Sequence, residues 1–384
     1  MSFVTFNNKL KKVCFVILST NILKKGQCPV RIYSITLLSL LFVGLSIQPA
    51  EACTSFCMDT PDGPVFGYNL DLFIPGDGLV FINQRGVAKE GFPSQAGTTG
   101  ETLKWISKYG SVTFNVVGRE WPNTGMNEAG LVISNMQLLK SEYPDRDERP
   151  GLPIGPWAQY VLDTCGTVAE AVKVDAKVRI EDDAPPSHYL IVDAEGNCAA
   201  MEWIDGEYVC YTAEKAPVKA MSNMQYGRAL EAFKRGGPRW WWSNPGQSAE
   251  RFAEAHERSV NYDAEKEPDA VTYAFGTLLN VAAPHTKWSI VYDISKREIS
   301  YGTVTSKPVK HISFSNLDFA CKEPLLMFDV NAAIEGDVEK HFVPYDPDVN
   351  FKVFYTFCQR FGVDISEQDA AGTMDHINSF KCAD

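Results

Sequence analysis

Cys53 is the residue whose position in this chain promises chemistry. Ile35 to Ile47 form an apolar run preceded by basic residues. The run is too short to span a bilayer comfortably, and Ala50-Glu51-Ala52 supplies the small-x-small pattern at which an export signal is cut. A cut there would make Cys53 the first residue. A free α-amine ordinarily titrates near pH ~8 and a thiol near ~8.5, so the amine of Cys53 could then accept the thiol proton near neutral pH. Nucleophile and base would share one residue, with no histidine needed.

Two plainer readings of Cys53 stand beside this one. A cysteine after a signal sequence can carry a lipid, although Ala50 and Glu51 fit that processing site poorly. A disulfide to Cys57 is awkward if both residues lie on one extended strand.

The next residues favour the catalytic reading. Cys53-Thr54-Ser55-Phe56 and Phe66-Gly67-Tyr68-Asn69-Leu70-Asp71 flank Pro61-Asp62-Gly63, and alternation on both sides predicts a β-hairpin that brings Asp71 beside Cys53. This opening resembles the choloylglycine hydrolase and penicillin V acylase family, cysteine N-terminal-nucleophile amidases whose mature chains begin Cys-Thr and continue to Gly-Arg-Asn-x-Asp. Further segments carry the resemblance in the family's order. They are Lys108-Tyr109-Gly110 before a strand, Gly125-Met126-Asn127-Glu128-Ala129-Gly130-Leu131, Met221-Ser222-Asn223 and Ser248-Ala249-Glu250-Arg251-Phe252.

The resemblance implies a set of roles. Cys53 is the nucleophile, Asp71 holds its protonated amine, Asn223 helps to form an oxyanion hole, and Arg251 supplies positive charge near the thiol. Tyr68 and Gln137 stand at substrate-binding positions where the family usually has Arg and Asn. A neutral tyrosine cannot lower a thiol pKa or meet a substrate carboxylate as an arginine does. Asn69 and Asn127 read as structural.

Composition fits an exported enzyme. Without residues 1–52 the chain keeps 332 residues with 30 basic and 47 acidic side chains, a formal charge of −17. That length suffices for one large domain, and the charge argues against nucleic acid or anionic membrane as partner. Cys14 and Cys28 leave with the leader, so eight cysteines remain. Their spacing matches no zinc motif, and disulfides suit an oxidising compartment. The domain reading is a leader over 1–52 and a single amidase domain over 53–384, with a wrapping extension from about 308.

Strand-like runs occur at Val65–Asn69, Leu79–Asn83, Val112–Val117, Leu131–Ser134, Tyr189–Val192, Ala199–Trp203 and Trp288–Tyr292. Helical spacing marks Trp157–Cys165, Val168–Lys177, Ser248–Glu257 and Ala270–Leu279. Strands, then a helical middle, then strands predict an α+β fold of antiparallel sheets with outer helices. The resemblance narrows this to the four-layer αββα sandwich of N-terminal-nucleophile hydrolases.

Rival constellations are weaker. The six histidines, at 188, 256, 285, 311, 341 and 376, include no recognisable partner for a Cys-His pair and read as surface or core residues. Trp240-Trp241-Trp242 reads as a loop anchor or as the lining of an apolar mouth.

The sequence therefore predicts a periplasmic or secreted hydrolase of small, non-peptide linear amides, without metal or organic cofactor and without a membrane anchor once processed. The resemblance implies a homotetramer. It leaves penicillin V, conjugated bile acids, N-acyl-homoserine lactones and fatty-acyl amides open as substrates. Acyl transfer, or an exported lipoprotein or binding protein with a vestigial site, are the other readings.

Overall fold

The computed structural model describes residues 53–181, 185–236, 248–267, 269–322 and 324–383. The leader, with its expected cleavage site, and the Trp240–Trp242 run lie outside the described residues. The described residues all belong to one unit, Glu51 to Asp384.

Two antiparallel sheets lie face to face. The first runs in spatial order Ala220–Ser222, Thr54–Thr60, Gly63–Asp71, Thr286–Asp293, Glu298–Thr303, Lys310–Ser313 and Gly336–Asp337, with only the last pair parallel. The second runs Glu207–Thr212, Cys198–Ile204, Ser187–Val192, Val132–Gln137, Thr124–Asn127, Ser111–Asn115, Leu79–Asn83, Leu326–Asp329 and Val343–Pro344. The predicted hairpin is present: Thr54 pairs with Asn69 and Thr60 with Gly63.

Seven α-helices are described: α1 (Ile154–Thr164), α2 (Val168–Ala171), α3 (Tyr226–Lys234), α4 (Ser248–Val260), α5 (Ala270–Asn280), α6 (Pro347–Phe361) and α7 (Glu367–Asn378). Helices α4 and α5 cover the outer face of the first sheet, and α1 covers the second. This is the expected αββα sandwich.

Alternation explains the layers. Tyr68, Leu70, Met136, Leu190 and Ile290 enter one cluster between the sheets, whereas Ile133, Tyr189, Ile191 and Met201 pack with Trp157 and Val161 of α1. Strands buried on both faces look less amphipathic than half-exposed ones, so their ends are blurred in the sequence.

Two expectations need correction. Helical spacing over Val168–Lys177 yields only the four-residue α2, which opens on a capping box between Thr167 and Glu170. Beyond it, Asp175 accepts from Arg149 at 3.0 Å and from the Trp203 indole at 3.0 Å, and these tertiary bonds hold the chain in turns. The segment after Pro308 does more than wrap. It gives strands to both sheets and supplies the α6–α7 pair, whose own core includes Phe354, Cys358, Met374 and Ile377. Cys321 and Cys382 form the disulfide found among the described residues and tie the chain end to the segment that leads into the strand Leu326–Asp329. Cys57, Cys165, Cys198 and Cys210 carry free thiols.

Among the described residues, no helix is long and apolar enough to cross a membrane.

Candidate active site

The site forms at the start of the Thr54–Thr60 strand, at a cleft lined by residues of both sheets. Cys53 immediately precedes the strand Thr54–Thr60 and Asp71 ends its antiparallel neighbour, so the hairpin register sets them side by side. The Asp71 backbone N–H donates to Cys53 Sγ at 3.4 Å. Tyr68 faces inward two residues upstream of Leu70. Its hydroxyl donates to the Asn135 carbonyl at 3.0 Å and lies 4.0 Å from Sγ. The thiol thus meets a backbone dipole and a neutral hydroxyl.

Behind Cys53, the outer face of the same sheet carries charge. Arg251 projects from α4 and is 2 % exposed. Its Nε donates to Thr54 Oγ1 at 2.9 Å, and its Nη2 reaches Cys53 O at 3.5 Å and Asn223 Oδ1 at 3.3 Å. Burial lowers the Arg251 pKa, opposed by Asp71 and Cys53. Because Oδ1 of Asn223 faces the guanidinium, its amide nitrogen points the other way. Nδ2 donates to the Gln137 carbonyl at 2.7 Å. An amide nitrogen has two hydrogens, so one remains for a ligand.

Asp71 is the anomaly of the site. It is completely buried, and among the described residues neither carboxylate oxygen has a hydrogen-bond partner. Burial raises its pKa to about 7, outweighing the Thr286 side chain at the edge of hydrogen-bonding reach and the charges of Arg251 and Lys287, all of which favour the charged form. An unsatisfied buried carboxylate is expensive and calls for a cation or donor.

The cleft in front of Cys53 is narrow, with a volume of about 60 Å³, and opens to solvent. Cys53, Tyr68, Leu70 and Leu72 come from the first sheet, Asn135 and Gln137 from the second. Val116, Trp121, Ile154, Phe357 and Phe361 close it with apolar surface. No Asp, Glu, Lys or Arg is among its described lining residues. Of the six predicted site residues, Cys53, Tyr68 and Gln137 line the cleft, while Asp71, Asn223 and Arg251 adjoin these lining residues. All six belong to one linked constellation.

The hydrophobic wall was missed by sequence reasoning. Phe357 and Phe361 come from a distant helix, and only their four-residue spacing hinted at a shared face.

The other expected structural residues have structural bonds. Asn127 Nδ2 donates to the carbonyls of Leu162 at 2.8 Å and Cys165 at 2.7 Å, tying its hairpin to the end of α1. Asn69 bridges Leu278 and Ser289. His188 pairs with Glu202, His311 with Ser300 and His376 with the Glu90 carbonyl, while His285 stacks on Phe73 and His256 meets Phe233 edge-on. Among the described residues no group of three or more His, Cys, Asp and Glu could hold a metal ion.

Comparison with known proteins bears on this arrangement. Penicillin V acylase from Pectobacterium atrosepticum is 26% identical over 361 residues, covering 81% of this chain and 95% of that protein. The structure of penicillin V acylase from Agrobacterium tumefaciens superposes with a TM-score of 0.66 at 26% identity, covering 77% of this chain and 98% of that one. Over most of its length the chain is similar to penicillin V acylases, and it is an amidohydrolase.

Conjugated bile acid hydrolase from Clostridium perfringens, in a variant form, shares the fold with a TM-score of 0.58 at 15% identity, over 74% of this chain and 98% of that one. The family model described as acyl-coenzyme A:6-aminopenicillanic acid acyl-transferase matches residues 91–226. That match includes the Gly125–Leu131 hairpin and Asn223 but neither Cys53 nor Arg251.

Proposed function

We propose that this amidohydrolase is exported, is cut before Cys53, and hydrolyses small non-peptide linear amides with Cys53 as an N-terminal nucleophile. The observation that carries the reading is the pairing of a cleft-lining thiol with a buried carboxylate whose oxygens accept no hydrogen bond of normal geometry among the described residues. Freeing the α-amine of Cys53 would put a cation beside Asp71, and that cation would offset the cost of burying the carboxylate.

The chemistry then follows. The neutral α-amine takes the thiol proton, and the thiolate attacks the amide carbonyl carbon. Asn223 Nδ2 and a backbone N–H stabilise the tetrahedral oxyanion. As the C–N bond breaks, the α-ammonium returns its proton to the departing nitrogen, leaving an acyl-thioester on Cys53. Water, deprotonated by the same amine, attacks the thioester and releases the carboxylic acid. Asp71 holds the ammonium form, and Arg251 fixes both the Cys53 carbonyl and the Asn223 side chain.

Penicillin V and conjugated bile acids are the first substrates to try, since the relatives carry those names. An uncharged cleft with Tyr68 in place of Arg favours amides whose leaving part is neutral, N-acyl-homoserine lactones among them. Acyl transfer is a second reading, favoured by the partial match to the acyltransferase family model. It differs only in that an amine, not water, takes the acyl group from the thioester.

Protein purified after expression of the full chain is mixed with these amides, and released amine is quantified. Turnover of at least one amide that disappears in Cys53→Ala supports the reading. Turnover that survives in Cys53→Ala refutes it.

A further inference from the structure

The C-terminal helix α6 places a stripe against the cleft. Asn350, Phe354, Phe357 and Phe361 recur at helical spacing on one face of α6, and the first three are buried. Phe357 and Phe361 stack with centroids 5.0 Å apart and planes 15° apart, and both line the cleft in front of Cys53.

The opposite side of this wall is fixed just as firmly. Trp121 also lines the cleft, and its ring lies 5.4 Å from Phe354. On its other side Trp121 presses on Gly155 in α1, where an added Cβ would come within 2.2 Å of the indole Cδ1. The loop that carries Trp121 is locked to α6 as well. The Arg119 N–H donates to Asn350 Oδ1 at 2.9 Å. Gly118 has φ +121°, and a Cβ there would lie 2.8 Å from the same oxygen.

We propose that α6 is the acyl-selecting wall of the enzyme: Phe357 and Phe361, with Trp121 held by Phe354 and Gly155, bind an uncharged, apolar acyl group while its carbonyl lies at Cys53. The claim rests on the amidohydrolase reading above and adds the residues and the chemistry that choose the acyl half. Three converging aromatic rings and the absence of charge along the described lining favour hydrocarbon over carboxylated or cationic acyl chains. The buried Asn350 latch makes the wall rigid before substrate arrives, so little ordering cost falls on binding.

The test keeps the leaving group constant. Acetyl, octanoyl and phenylacetyl anilides are offered to wild type, Phe361→Ala and Phe357→Leu, all expressed as full chains. Phe361 is half-buried and is the safer truncation, and unchanged thermal unfolding confirms that each variant is folded. The expected result is a fall of about tenfold or more in kcat/KM for the octanoyl and phenylacetyl substrates in Phe361→Ala, carried mainly by KM, with acetyl changed less than about threefold.

An equal loss across the series, or no loss, overturns the proposal. If wild type cleaves none of the three, the hydrolase reading fails for these amides. The wall is then judged by calorimetric binding of phenylacetanilide to Cys53→Ala. Weaker binding after adding Phe361→Ala sustains the wall, and unaltered binding removes it.

Discussion

Asp71 gives the sharpest test of how the site is assembled. In the chain as it stands the Cys53 nitrogen is an amide, and burial raises the Asp71 pKa from 3.8 to about 7. Between those values the folded protein holds a proton that the unfolded chain has released. Stability therefore falls as pH rises across that window, and the penalty is complete above about pH 7. A shift of about three units at roughly 1.4 kcal/mol each amounts to about 4 kcal/mol, an order-of-magnitude figure.

Asp71→Asn removes the penalty. In a form that retains the residues before Cys53, secured by Ala50→Arg with Ala52→Arg, the substitution should leave stability nearly unchanged at pH 4. At pH 8 it should raise stability by up to about 4 kcal/mol. In the processed form the α-ammonium would occupy that place, and the same substitution should destabilise at pH 8, because a buried cation loses its partner. Chemical denaturation of both forms at the two pH values measures this. A gain of equal size at pH 4 and pH 8 in the retained form would refute the reasoning, as would identical effects in both forms.

The other predictions concern neighbours of the thiol and the C-terminal staple. Asn223→Ala should lower kcat by on the order of a hundredfold with a small change in KM, measured by steady-state kinetics, since in the proposed mechanism it removes one oxyanion donor. Tyr68→Arg should raise kcat/KM for glycine and taurine conjugates relative to a neutral amide of the same acyl group, and the gain should shrink as salt is added. Breaking the Cys321–Cys382 bridge with Cys382→Ser releases a loop of sequence separation 61 and should cost about 3–4 kcal/mol in denaturant unfolding, with kcat changed little.

The sequence made much of this legible for a physical reason. A hairpin fixes its register by its turn, so reading Pro61-Asp62-Gly63 as a turn already placed Asp71 beside Cys53. Asn223 and Arg251 were found as fragments of ordered motifs, and the Arg251 bonds to Cys53 and Asn223 explain why those fragments must occur together.

What stayed hidden depends on long-range packing. The strands Lys310–Ser313 and Leu326–Asp329 have four residues each, too few for alternation to stand out. Phe357 and Phe361 look like ordinary core residues until α6 is docked over the cleft. Val168–Lys177 has helical spacing, yet Arg149 and Trp203 pull Asp175 out of the helix.

The central claim is that Cys53 acts as the first residue and carries the acyl group. It is tested most directly by mass analysis of the N-terminal peptide after acid quenching during turnover. The expected result is a peptide that begins at Cys53, with an unmodified α-amine and with the acyl mass on sulfur, removable by neutral hydroxylamine. An active protein whose peptide begins before Cys53 or has a blocked amine would contradict it, and so would an acyl mass found on another residue.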